Sequence, residues 1–98
     1  MSGAAEAAIG TVKRTLAIAN KRGLHARAAA KFVRTAGQFD AAIRVSFKGQ
    51  EVSGLSIMGL MMLAAGIGSE IEVACSGKQA TDAMAALSAL VEGKFGEE

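Results

Sequence analysis

The spacing of apolar residues in this chain switches repeatedly between two periods, and that switching limits the fold more than any other feature. Val12 to Asn20 alternates, with Leu16 and Ile18 on one face and Lys13, Thr15 and Ala17 on the other. Period two predicts a strand. From Ala26 to Ala36 the apolar residues recur at 26, 29, 30, 33 and 36, a helical stripe, with Gly37 placed to end it. Ile43, Val45 and Phe47 then alternate with Arg44, Ser46 and Lys48, and Lys48-Gly49 supplies a tight turn into a short strand, Gln50 to Ser53. Ile57, Leu60, Met61 and Ala64 return to helical spacing, with Ser56 ahead as a candidate N-cap and Gly66-Ile67-Gly68 as the stop. Glu70 to Cys75 alternates as a fourth strand. After Gly77, the residues Ala80, Ala83, Met84, Leu87, Leu90 and Val91 form the best helical stripe in the sequence, closed by Gly93.

The expected order is β-α-β-β-α-β-α, without an internal repeat. Strands that alternate apolar and polar residues have one wet face, so the sheet should be antiparallel. The fold class that follows is α+β: an open-faced two-layer sandwich, with a four-stranded antiparallel sheet covered on one face by three helices. At 98 residues the chain supports one domain and one core. We expect that domain over 11–93, a disordered tail over 1–10 and a frayed end over 94–98.

Several functional classes drop out. The N-terminal stretch lacks a basic segment and a sustained apolar run, so no signal peptide is expected. The apolar stretch from Leu55 to Ile67 is interrupted by Ser56, Gly59 and Gly66 and is too short to span a bilayer, so membrane insertion is not expected. A single cysteine, Cys75, excludes an internal disulfide, fits a reducing and hence cytoplasmic setting, and sits in an apolar alternation as a core residue. No metal-ligand spacing occurs, and no cofactor is expected. Eleven basic against nine acidic residues is too balanced to argue for nucleic acid, and four aromatics, all Phe, are too few for stacking platforms. The basic residues lean toward the first half, among them Lys21, Arg22, Arg27 and Lys31. The consequence is a mildly positive rim suited to a phosphate or an acidic protein partner.

That rim surrounds the only histidine, His25, where a glycine-punctuated turn meets the alanine-rich helix. Backbone N–H groups at a helix start are unpaired and the helix dipole favours negative charge there. An imidazole at that spot, with Arg27 two residues on, can accept a phosphoryl group and have it held by N–H donors and a guanidinium. The competing reading is a helix-capping or packed histidine beside a surface arginine. The short second helix is also unusual: Met58, Met62 and Leu63 add apolar bulk outside the Ile57, Leu60, Met61, Ala64 stripe. Such a helix is either an irregular piece of core with methionine as filler or an exposed adaptable docking surface.

Two segments together resemble one family. Gly23-Leu24-His25-Ala26-Arg27-Ala28-Ala29 is similar to the active-site motif of the HPr family, the histidine phosphocarriers of the bacterial phosphoenolpyruvate-dependent phosphotransferase system. Leu55-Ser56-Ile57-Met58-Gly59-Leu60-Met61 resembles the family's second signature, and the separation of His25 from Ser56 fits as well. The resemblance covers residues 12 to 92. It implies that His25 accepts a phosphoryl group on Nδ1 from phosphorylated Enzyme I and passes it to IIA-type domains. It implies that Arg27 holds the phosphate, and that Ser56 is a regulatory target of an HPr kinase/phosphorylase. It further implies that Leu55, Ile57, Met58 and Met61 form a partner-docking patch, and that the protein is a group-transfer component, not an enzyme, acting as a monomer with transient partners. Two residues depart from the family pattern: Ala28 stands where proline is usual, and Leu55 where many members carry lysine. An alternative within the same fold is a mainly regulatory module in the nitrogen-related phosphotransferase branch.

Overall fold

The structure is a computed structural model and describes residues 11 to 97. Four strands, β1 (Thr11–Ala17), β2 (Ala42–Phe47), β3 (Gln50–Ser53) and β4 (Glu70–Ser76), form one sheet in the order β1-β4-β2-β3. Every neighbouring pair is antiparallel, so the sheet is as the alternation requires. Three helices, α1 (Ala26–Ala36), α2 (Ile57–Met62) and α3 (Ala80–Glu92), complete the sandwich. The expected tail at 1–10 lies outside the described residues. Among the described residues no helix is long and apolar enough to cross a membrane, and no cluster of three metal-ligating side chains occurs.

Strand alternation assigns the two faces directly. Leu16 sits opposite Ile71, Val45 opposite Val73 and Ile43 opposite Cys75, and all six are buried under the helices. Burial raises the pKa of the Cys75 thiol, keeping it a neutral core group. Arg14 shares this inner face, opposite Val73, and escapes burial by running its guanidinium to the edge, where it donates to Ser88 Oγ at 2.8 Å on α3. β1 ends at Ala17, short of the expected Asn20, because its partner β4 begins at Glu70. Ile18 then bonds instead to Ser69 and Gly68 through its own N–H and C=O, both at 2.8 Å. Lys48 and Gly49, with φ of 50° and 81°, make the left-handed pair that suits a two-residue hairpin between β2 and β3.

The helix stripes need correction. In α1 the buried residues are Ala28, Ala29, Phe32 and Ala36, while Ala26 is exposed and Ala30 and Val33 are partly covered. Alanine fits either side of a helix, so the one bulky residue, Phe32, decides which side faces in; its burial contributes about 1.5–3 kcal/mol. α2 stops at Met62, and Ala64 adopts a left-handed φ of 56°, so the stripe through Ala64 does not form. Leu60, Leu63 and Ala65 carry the burial there, and Ile57 and Met61 do not. On α3 the stripe holds, except that Ser88, paired with Arg14, takes a buried place and Leu90 is only partly covered.

Of the end expected to fray, residues 94–97 are built into the fold. Gly93 ends α3 and the chain turns through a short 3-10 turn, Lys94–Gly96. Phe95 is completely buried, and Lys31 Nζ donates to its carbonyl at 2.6 Å. Lys94 and Phe95 both have left-handed φ, 59° and 55°, which a bulky side chain adopts only when its surroundings compel it. Burying the Phe95 ring offsets that strain. The sequence reading missed it because one aromatic beyond a helix stop has no periodicity.

Candidate functional site

The approach to His25 is clamped before the residue is reached. Asn20 is fully buried; its Nδ2 donates to the Gly23 carbonyl at 2.9 Å, and the Gly23 N–H donates back to the Asn20 carbonyl at 3.2 Å. Gly23 has φ +64°, and a Cβ there would lie 2.5 Å from the Ala65 carbonyl oxygen, so only glycine fits. Leu24, buried, donates its N–H to that same Ala65 oxygen at 3.0 Å. The turn is thereby pinned to the end of α2.

His25 follows in extended conformation, φ −73° and ψ 177°, as the N-cap of α1. Its carbonyl accepts the first helical bond, from Ala29 N–H at 2.8 Å. Its side chain makes no capping hydrogen bond, which removes the helix-capping reading. The helix geometry leaves the N–H groups of Ala26, Arg27 and Ala28 without intrahelical acceptors. Ala28 keeps an N–H that a proline there would lack.

The imidazole turns instead to the C-terminal turn. Nε2 lies 2.5 Å from Glu97 Oε2, and the two side chains are only 15% and 20% exposed, so this contact is largely shielded from water. The other carboxylate oxygen, Oε1, accepts from Asn20 Nδ2 at 3.0 Å. The hydrogen bonds from His25 and then Asn20, with a weaker pull from the Lys31 ammonium, hold the Glu97 carboxyl below the usual carboxylate range. Glu97 is the site residue that sequence reasoning missed. It is 72 positions from His25, in a stretch that reads as a fraying end.

Around this pair opens a cleft of about 240 Å³, lined by Lys21, Arg22, His25, Arg27 and Glu97. Three of the five, Lys21, Arg22 and Arg27, are basic side chains. Arg27 is exposed and, among the described residues, forms no ion pair. An open cationic cleft whose helix N–H groups and second ring nitrogen have no partner among the described residues suits a small anion, above all a phosphoryl group.

Ser56 is placed differently. It is the N-cap of α2, and its Oγ accepts from the Gly59 N–H at 2.9 Å, the ordinary capping bond. Around it the apolar residues stand in solvent: Leu55 is 55% exposed, Ile57 41%, Met58 68% and Met61 39%. The surface reading of the methionines therefore holds over the core-filler reading. Met62 and Ile67 extend the exposed apolar surface, while Leu63, expected outside the stripe, is buried.

Comparison with known proteins now bears on this geometry. The family described as PTS HPr component phosphorylation site matches residues 12–93. The chain belongs to the PTS HPr family. It is 48% identical over 86 residues to the phosphocarrier protein HPr of Cupriavidus necator, covering 88% of this chain and 97% of that one. It is 42% identical over 86 residues to the phosphocarrier protein NPr of Shewanella violacea, covering 88% and 94%. The fold matches the crystal structure of HPr-C-His from Thermoanaerobacter tengcongensis with a TM-score of 0.85 at 42% identity, over 89% of this chain and 98% of that one. Membership makes the chain a phosphotransferase-system phosphocarrier by kind. Glu97 lies beyond the matched residues.

Proposed function

We propose that this chain carries phosphoryl groups on His25, taking them from phosphorylated Enzyme I and delivering them to IIA-type domains. The observation that supports this most is the imidazole held at an uncapped helix start, beside three cationic side chains in one open cleft. In the transfer, the His25 Nδ1 lone pair attacks phosphorus while the N–P bond of the donor phosphohistidine breaks, and the donor imidazole keeps that electron pair. Each ring keeps its remaining proton, so the step needs positioning and charge neutralisation more than acid–base work. Arg27 and the N–H groups at the start of α1 neutralise the phosphoryl oxygens. The protein turns over only with its partner enzymes.

On this reading Leu55, Ile57, Met58 and Met61 dock the partners, and methionines allow several partners to use one surface. Ser56, at the centre of that patch, is the regulatory position for an HPr kinase/phosphorylase. A phosphate there sits at a helix start that tolerates it while adding about two negative charges to the docking surface. The protein works as a cytoplasmic monomer. A second reading places the same chemistry in the nitrogen-related branch, and the likeness to an NPr supports it. Offering the phosphorylated protein to sugar-specific and nitrogen-related IIA domains separates the two.

The test is incubation with phosphoenolpyruvate and a catalytic amount of Enzyme I, followed by phosphorus NMR, with His25→Ala alongside. An acid-labile phosphohistidine signal in the wild type alone is the expected result. Transfer by the variant, or no signal from the wild type with Enzyme I active on another carrier, would sink the reading.

A further inference from the structure

We propose that Glu97, oriented by Asn20, is a positioning residue that holds the ring proton of His25 on Nε2 and thereby leaves Nδ1 as the ring nitrogen open to phosphorylation. The inference rests on the phosphocarrier reading and adds to it the device that selects the atom.

The chemistry follows from what a carboxylate can do. An ionised carboxylate only accepts hydrogen bonds, so the ring nitrogen 2.5 Å from Glu97 Oε2 must carry the proton. In a neutral imidazole the other nitrogen, Nδ1, then has the free lone pair. Glu97 is itself oriented. Oε1 takes the Asn20 Nδ2 hydrogen bond, which leaves Oε2 to face the ring.

Asn20 cannot be flipped, because its amide nitrogen serves two acceptors, the Gly23 carbonyl and Glu97, and an oxygen in its place would repel both. Its own Oδ1 is buried and, among the described residues, accepts no hydrogen bond. A buried acceptor left unpartnered is costly, and such groups in native proteins mark places where arrangement takes precedence over stability. Here the arrangement obtained is a fixed carboxylate beside the histidine.

The backbone makes the same case. Two consecutive left-handed residues, a completely buried Phe95 and the Lys31 bond to its carbonyl bring the chain back over α1 just before Glu97. A carboxylate held this way also offsets the positive charge that the ring acquires as Nδ1 bonds phosphorus. The Nε2 proton stays on the ring and is shared with Oε2 throughout.

The experiment has two arms, on the full chain and its Glu97→Ala and Glu97→Gln variants. Neither change touches the Phe95 anchor. The first arm needs no phosphate donor: nitrogen-resolved NMR locates the His25 ring proton and its exchange with water. The wild type should carry it on Nε2 with slowed exchange, and Glu97→Ala should lose that protection. The second arm measures phosphorylation by Enzyme I and phosphoenolpyruvate. Glu97→Ala should lower kcat about tenfold with the KM for the phosphorylated donor unchanged. Glu97→Gln has one oxygen for two donors: with that oxygen on Asn20 Nδ2 its NH2 meets the ring, so the proton should leave Nε2 and the loss of kcat should match that of Glu97→Ala.

A wild-type ring proton on Nδ1, an unchanged kcat in Glu97→Ala, or a Glu97→Gln variant that keeps the proton on Nε2 and the wild-type kcat would each overturn the proposal. If the wild type takes no phosphate, the carrier reading fails, and the ring-proton arm still decides where the proton sits.

Discussion

The two helix starts of this protein, at His25 and at Ser56, begin alike and are finished in opposite ways. Each N-cap residue is extended and passes its carbonyl to the first helical bond. Ser56 then turns its hydroxyl onto the Gly59 N–H three residues away. His25 turns its ring away, to a carboxylate 72 residues distant, and leaves its helix start bare. A capped start is satisfied and serves as a rigid base for the apolar patch around it. A bare start keeps donors and dipole available for an anion. The Ser56 end is built from local contacts, whereas the His25 end depends on the loop at Asn20, the tail of α2 and the C-terminal turn.

If that contrast is sound, the largest effect comes from removing the anchor that only one end needs. Phe95→Ala should cost about 3–5 kcal/mol of stability, read by urea denaturation, through the cavity it leaves. At temperatures where the variant is still folded it should also lose the His25–Glu97 contact in NMR while the Ser56–Gly59 bond persists. Equal disturbance of both ends would break the comparison.

Next in size is Arg27→Ala. A hydrogen bond to a charged group contributes about 1.5–3 kcal/mol. The kcat/KM for phosphorylation by Enzyme I should fall at least tenfold with the thermal midpoint unchanged.

At the capped end the expected effects are smaller and divide by chemistry. Ser56→Ala should cost about 1 kcal/mol of stability and leave phosphorylation of His25 intact. Ser56→Asp should keep the cap and the stability yet slow transfer, because it places a carboxylate inside the exposed apolar patch proposed to dock partners. Wild-type transfer by Ser56→Asp would remove the idea that charge at Ser56 blocks docking.

The smallest effect is pH-dependent. The Glu97 carboxyl is depressed by its bonds from His25 and Asn20 and by the Lys31 charge. Its contribution is therefore complete above the usual carboxylate range and lost as pH falls through its lower folded value. The difference in thermal midpoint between wild type and Glu97→Ala should be flat near neutrality and shrink in acid.

The same local and non-local division explains what could be read from the sequence. Strand alternation placed Leu16, Ile43, Val45, Ile71, Val73 and Cys75 on one buried face, and the α+β order followed. The Ser56 cap was legible because a cap and its acceptor lie three residues apart. The α1 stripe was misjudged because alanine carries little burial signal and a single phenylalanine outweighed five alanines. Glu97 was illegible for a different reason. Its partners, Asn20 and His25, are joined to it only by the fold, and the residue that brings it home, Phe95, sits in left-handed backbone that no propensity predicts. Of the cleft, His25 and the basic residues Lys21, Arg22 and Arg27 were legible from local pattern, and Glu97 was not.

The most direct test of the uncapped helix start as the phosphoryl site is an amide NMR spectrum taken before and after phosphorylation by Enzyme I and phosphoenolpyruvate. The account predicts that the N–H signals of Ala26, Arg27 and Ala28 move on phosphorylation while that of Gly59 stays in place. Unmoved signals at the start of α1, or a shift confined to Gly59, would contradict it.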